Sequence, residues 1–151
     1  MRYMLKRNFW NNNVELLRDD HVIGKIEKSG FWGIHTKGYL FDKNYTFLTK
    51  GNFSTCTEIW DDKNNFVGEV TYSIWSSKAK IDLNGKKYYW GPKNYWGTKW
   101  KLTDELGREI FLEKNEFIVN FASTENLEFN YFLSAFLLYN SYKRMAAAAA
   151  A

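Results

Sequence analysis

Lysines and large aromatic side chains are the residues of this chain whose types and spacing could do chemistry, and they occur together. Between Ser76 and Lys101 lie seven lysines, Lys78, Lys80, Lys86, Lys87, Lys93, Lys99 and Lys101, against Asp82 alone. The protein as a whole carries a net charge of +4, so this stretch holds more than the entire excess and the remainder is slightly acidic. A local cationic patch attracts acidic headgroups, phosphates or an acidic protein surface. In Lys78-Ala-Lys-Ile-Asp-Leu83, strand alternation sends Lys78, Lys80 and Asp82 to one face and Ala79, Ile81 and Leu83 to the other. Lys99 and Lys101 alternate in the same way with Trp96, Thr98, Trp100 and Leu102. The plainer reading is a solubilising outer face, since lysines on a sheet also block edge-to-edge association. Tyr88, Tyr89, Trp90, Tyr95, Trp96 and Trp100 interleave with the lysines, a composition shared by surfaces that stack on single-stranded nucleic acid or on sugars. Core packing is the alternative for most of these rings. For Trp90 or Trp96, beside Gly91, Pro92 and Gly97, an exposed loop position is the alternative to the core.

Other chemistry is sparse. The two histidines, His21 beside a predicted turn and His35 inside a predicted strand, are far apart in sequence and form no ligand or triad spacing. No paired cysteine, phosphate-binding loop, nucleophile elbow or dinucleotide fingerprint occurs. Asp61-Asp62-Lys63-Asn64-Asn65 lacks the spaced ligands, central Gly and final Glu of a calcium loop, so it reads as a turn. Glu113 and Glu116 are carboxylates without a spatial argument for acid–base work. The expectation is therefore a non-enzymatic protein with no cofactor and no metal.

The elements that must position the lysines are strands. Aromatic residues make up 19% of the chain, with a single proline, and aromatic and β-branched side chains suit half-buried pleated surfaces. Short alternating runs predict thirteen strands, at Arg2–Asn8, Val14–Arg18, Val22–Lys28, Phe31–Thr36, Tyr39–Asp42, Tyr45–Thr49, Phe53–Trp60, Phe66–Ile74, Lys78–Leu83, Lys86–Trp90, Trp96–Leu102, Glu109–Glu113 and Phe117–Phe121. Their short connections, including the Asn84-Gly85 hairpin signal, imply antiparallel meanders. Leu17-Arg-Asp-Asp-His-Val-Ile-Gly24, Ile59-Trp-Asp-Asp-Lys-Asn-Asn-Phe-Val-Gly68 and Leu102-Thr-Asp-Glu-Leu-Gly-Arg-Glu-Ile110 form a weak repeat, with Asp19, Asp61 and Asp104 spaced 42 and 43 residues apart. Three units are too few for propeller blades, and three four-stranded segments of one closed barrel fit the length better.

After the strands the pattern changes. Leu127, Phe129, Tyr131, Phe132, Leu133, Ala135, Phe136, Leu137, Leu138, Tyr139 and Tyr142 cover every side of a helical wheel, which predicts a buried helix over 125–144. Thr124 is its expected N-cap, Glu125 and Glu128 fall in its first turn, and Lys143 and Arg144 fall in its last. Its 16-residue apolar stretch is short of the roughly 20 residues a membrane span requires, so no transmembrane span is expected. The start, MRYMLKRNFWNNN, has no apolar core of a secretory signal, and the lone Cys56 has no disulfide partner, so a reducing, cytoplasmic setting is expected, with peripheral membrane contact allowed. The alanines Ala146–Ala151 read as a tag, a scar or placeholder residues outside the single domain 1–145.

About twelve strands followed by one apolar helix, with the local sequences Tyr3-Met-Leu-Lys-Arg-Asn-Phe-Trp10, Ile59-Trp-Asp-Asp-Lys-Asn-Asn-Phe-Val-Gly68 and Trp100-Lys-Leu-Thr-Asp-Glu-Leu-Gly107, resembles the tubby C-terminal-like superfamily. That superfamily includes tubby proteins, LURP-one-related proteins, phospholipid scramblases and small bacterial relatives. The resemblance implies a mainly β fold: a closed antiparallel barrel of about 12 strands with the hydrophobic C-terminal helix through its centre. No phosphoinositide motif or acidic calcium segment is matched, so the resemblance implies a fold rather than a ligand. The resulting expectation is a binding or scaffold module that meets anionic lipid or a membrane surface through its lysine face. The alternatives are an accessory subunit that meets a protein or nucleic acid, and a small-ligand carrier barrel capped by the helix. A helix that is apolar all round speaks for the filled barrel, which leaves no room for a carried ligand.

Overall fold

Alternating apolar and polar residues build twelve antiparallel strands in the computed structural model, which describes residues 2–8, 10–29, 35–50, 55–73, 76–94, 98–119 and 127–150. The strands are β1 (Tyr3–Arg7), β2 (Val14–Arg18), β3 (His21–Ser29), β4 (His35–Leu40), β5 (Lys43–Lys50), β6 (Cys56–Asp61), β7 (Phe66–Tyr72), β8 (Ala79–Leu83), β9 (Lys86–Pro92), β10 (Lys99–Asp104), β11 (Glu109–Glu113) and β12 (Glu116–Val119). They are followed by α1 (Leu127–Ala150). Each strand pairs with its neighbours in sequence, and β1 returns to β12, so the sheet closes and has no free edge. The seam is short: Met4 stands opposite Glu116, Leu5 N–H donates to the Asn115 carbonyl at 2.7 Å, and Arg2 meets Glu116 at 3.1 Å.

An up-and-down meander puts every second connection at the same end. The turns after β2, β4, β6, β8 and β10 lie at the end where α1 begins, here termed the inlet; α1 emerges at the opposite outlet. The weak repeat has a physical origin at the inlet. Asp61 Oδ1 accepts the N–H groups of Lys63 and Asn65, and Asp104 Oδ1 accepts those of Leu106 and Arg108, so both side chains close the same five-residue turn. The fourth position needs positive φ in each, filled by Asn64 at 60° and Gly107 at 79°. Asp19 and Asp20 instead occupy a two-residue turn, with φ of 48° and 67°. Gly24 and Gly68, equivalent in the repeat, both lie beside a register shift, at Leu16/Leu17 and at Ile59/Trp60.

Those turns are sensitive to acid. Hydrogen bonding from Asn65 N–H, together with its amide and Lys63, holds the Asp61 carboxyl below its ordinary value. At Asp104 burial acts the other way, but the N–H groups of Arg108 and Leu106 and the Arg108 guanidinium, 2.6 Å away, outweigh it. Folded values depressed below the unfolded ones mean that this stabilisation is complete above about pH 4 and is lost as pH falls through the folded values. Asp104→Ala is expected to lower stability by roughly 1–2 kcal/mol at neutral pH and to flatten the loss below about pH 4, measured by urea unfolding across pH.

The helix fills the barrel. Every residue from Tyr131 to Ser141 is buried, including Phe132 at 0% and Leu137 at 1% exposure, so no face of α1 meets solvent over that length. Its contacts run round the ring of strands. Tyr131 meets Tyr3 of β1 and Phe117 of β12, Phe132 meets Tyr45 of β5, Phe136 stacks on Phe47, and Trp90 of β9 donates to Ser141 Oγ. The polar helix residues turn inward on the backbone, with Ser134 and Ser141 hydroxyls donating to the carbonyls of Asn130 and Leu137. At the inlet Glu128 accepts from Tyr3 Oη and pairs with Arg18 at 2.9 Å. At the outlet Arg7 lies over the Tyr142 ring, and Arg144 lies over Tyr72 and donates to the Ser73 carbonyl.

Three expectations are corrected. The predicted strands Phe31–Thr36 and Tyr39–Asp42 are, where described, the single strand β4, and Lys37-Gly38 is not a turn: Gly38 sits mid-strand, and the reversal comes at Phe41, with φ of 55°. Lys143 and Arg144 are not in the last turn of α1, because the helix continues through the alanines, the best helix formers. The helix accordingly ends at Ala150 and not at residue 144. The expected Thr124 cap and Glu125 lie outside the described residues.

Candidate functional site

The registers of β8, β9 and β10 fix where the lysines stand. On the outer face Lys80 is opposite Tyr89, Tyr89 is opposite Thr103, and Lys101 is opposite Gly91. Strands lie about 4.8 Å apart and rise about 3.3 Å per residue, so Lys80 and Lys101, two strands and two residues apart, rise from backbone positions separated by roughly 12 Å. Gly91, opposite Lys101, leaves its outward position without a side chain, and the Lys78 stem occupies it, with Cγ 3.3 Å from where a Cβ would be. Lys99 lies beyond Lys101 on the same face, opposite Glu113. The structure thus gathers Lys78, Lys80, Lys99 and Lys101 across three strands towards the outlet, with Tyr89, 45% exposed, among them.

Counter-charges are unevenly placed. Glu113 lies 3.5 Å from Lys93 and 4.0 Å from Lys99, and the Lys93 ammonium also sits 3.8 Å above the Phe111 ring. Phe111 explains its own burial this way: it faces outward, yet Lys93 covers it. Lys87 stands opposite Asp82, but Asp82 Oδ1 accepts the Gly85 N–H. Among the described residues Lys78, Lys80, Lys87 and Lys101 have no ion pair, as is also true of Lys6, Lys28, Lys37, Lys43, Lys63 and Lys114, which stand elsewhere on the surface.

Two of the expected site residues are elsewhere. Trp90 is not on an exposed loop: it points into the barrel at 3% exposure, stacked on Trp100 with ring centroids 5.2 Å apart. Alternation in β9 sends Lys87, Tyr89 and Gly91 outward and Tyr88 and Trp90 inward, and a ring this large is retained inside because its N–H reaches Ser141. Lys86 shares that inward parity and stands at the inlet rim, apart from the other lysines. Trp96 lies outside the described residues.

The remaining polar candidates do not come together. His21 is exposed at the inlet, with Nδ1 2.9 Å from the Asp19 carbonyl, and His35 begins β4 near the outlet, so they stand at opposite ends. The Cys56 thiol is half-buried and 3.8 Å from Glu69; burial, then Glu69 and Glu58, push its pKa up, which disfavours the reactive thiolate. Among the described residues no group of three or more His, Cys, Asp or Glu side chains converges, and no helix is long and apolar enough to cross a membrane. The barrel is filled along its length, but the expectation that this leaves no space is corrected at the inlet, where a cavity of about 460 Å³ remains. Sequence reasoning missed that cavity because its lining comes from distant segments that only barrel closure brings together.

No family model, no curated protein and no solved structure matches this chain. The superfamily resemblance accordingly rests on the order of strands and helix.

Proposed function

We propose that this barrel is a non-enzymatic binding module, peripheral to a membrane on its reducing side, that meets acidic headgroups through Lys78, Lys80, Lys99 and Lys101, with Lys87 and Lys93 at the margins. The supporting observation is the clustering: Lys78, Lys80 and Lys101 gather on one outer face around β9 with no carboxylate partner among the described residues, and Asp82, opposite Lys87, accepts from the Gly85 N–H. Tyr89 adds an amphipathic ring suited to the headgroup level. Kinship with the tubby-like superfamily is part of the same proposal.

Each lysine near an anionic surface contributes about 1 kcal/mol, so the Lys80→Gln/Lys101→Gln pair is expected to weaken binding to vesicles containing phosphatidylserine by roughly thirtyfold at low salt. Sedimentation with anionic and neutral vesicles measures this, with thermal melting of the variant as the folding control. Equal sedimentation with both vesicle types would sink the membrane reading. Affinity purification giving one stoichiometric acidic partner would shift the function to an accessory subunit using the same face.

A further inference from the structure

The two ends of the barrel differ in charge. At the outlet Arg7, Lys28 and Lys50 stand at the ends of β1, β3 and β5, Lys114 stands on the β11–β12 turn, and Lys143 and Arg144 stand where α1 emerges. With Lys78, Lys93 and Lys99 they carry positive charge round the whole rim. Lys50 meets Glu58, and Lys93 and Lys99 share Glu113, but both carboxylates belong to strands. The outlet connections, residues 8–13, 30–34, 51–55, 73–78, 93–98 and 114–115, contain no Asp or Glu in their sequence. At the inlet four of the five connections carry a carboxylate, from Asp19, Asp20, Asp42, Asp62 or Glu105. The β1–β2 turn adds an aromatic ring to the outlet. Asn8 Oδ1 accepts the N–H groups of Trp10 and Asn11, and the turn holds the Trp10 side chain outward at 92% exposure. Indole rings suit a membrane interface, where one side is apolar and the other wet. Phe41 and Leu106 are exposed at the inlet, but among carboxylates that an acidic surface repels.

We infer that the barrel docks end-on to an anionic membrane, with the outlet against the headgroups, α1 steep to the surface and Trp10 at the interface. The inference rests on the membrane reading above and adds an orientation to it. Cations spread round a whole rim can all meet a plane, whereas a compact ligand reaches only neighbours. The lysine face remains part of the contact: Lys80 and Lys101 lie two residues, roughly 7 Å, behind Lys78 and Lys99, within the ~10 Å over which surface charge is felt.

Amide NMR of the unaltered protein on bicelles of phosphatidylcholine and phosphatidylserine, doped with a gadolinium-chelating lipid, tests the orientation. End-on docking is expected to broaden Asn11, Asn12 and Lys114 as strongly as Lys78 and Lys99, and to spare Lys87, Gly85 and Gly107, roughly 15–20 Å farther from the surface. Docking by the side of β8–β10 would instead broaden Lys87 with Tyr89 and Lys101 and spare Asn11 and Asn12, four strands away, which would overturn the orientation and leave the membrane reading standing. Broadening centred on Gly107 and Asp20 would overturn it as well. Equal sedimentation with anionic and neutral vesicles would remove both. Affinities for phosphatidylserine vesicles give a second readout. Lys28→Gln with Lys114→Gln is expected to weaken binding roughly thirtyfold at low salt, and Trp10→Ala about tenfold. No effect of either variant would overturn end-on docking, since Lys28 is six strands from β9.

Discussion

Phe136→Ala is expected to remove about 3–5 kcal/mol of stability, a large fraction of the total for a single domain. The ring is 1% exposed and lies flat on Phe47, with centroids 3.9 Å apart and planes within 7°. Its loss opens a void at the middle of α1, and the surroundings are poorly placed to close it. The strands are held in a continuous hydrogen-bonded ring, so moving one inward strains its neighbours on both sides. The measurable outcome is a fall in the urea midpoint with an unchanged slope, and a drop in melting temperature of roughly 10 °C. Leu106→Ala is the control: at 78% exposure on the β10–β11 turn it should change stability by less than about 0.5 kcal/mol. Similar losses for the two variants would mean that α1 is not the core of the fold.

The same helix explains why so much of the architecture is legible in the sequence. Apolar residues on every side of a helical wheel admit few positions in a protein, and a closed ring of strands is the one that buries all of them here. The turns are legible for a local reason, since Asp61 and Asp104 bond within their own five residues and need no distant partner. Gly38 and Trp90 mislead because their roles are set across the barrel. Gly38 resembles a turn residue until Phe132 is seen against it, and Trp90 resembles a loop residue until Ser141 and Trp100 account for its N–H and its face. For the lysines, alternation gives the face correctly for Lys78, Lys80, Lys99 and Lys101. It could not give their pairing, because Glu113 is brought in from β11. The inlet cavity is further still from the sequence. Its walls come from the β4–β5 turn, β7, the β8–β9 hairpin and α1, and no short motif encodes a space left between them.

Gly38 supports the second large prediction. A Cβ at this position would fall 2.4 Å from Phe132 Cζ and 2.7 Å from Phe47 Cε2, so the missing side chain of β4 is the socket into which the helix ring fits. Gly38→Ala is expected to cost about 1–3 kcal/mol by overpacking, and Gly38→Val more, because a branched side chain extends the same collision. The obstruction is made of ring atoms, so it is relieved by shortening the ring. Gly38→Ala combined with Phe132→Leu should be less destabilised than the sum of the single variants, by roughly 0.5–3 kcal/mol in a double-mutant cycle. Gly68 offers the opposite case. There a Cβ would fall 2.3 Å from the Asp82 carbonyl oxygen, a backbone atom of the paired strand β8 that no side-chain trimming can move. Gly68→Ala with Leu83→Ala should therefore show no recovery. Recovery at Gly38 and none at Gly68 would establish that the first glycine is kept for the helix and the second for the sheet. Additive behaviour at Gly38 would mean that Phe132 is not seated against β4, and the helix-filled barrel would have to be redrawn at that point.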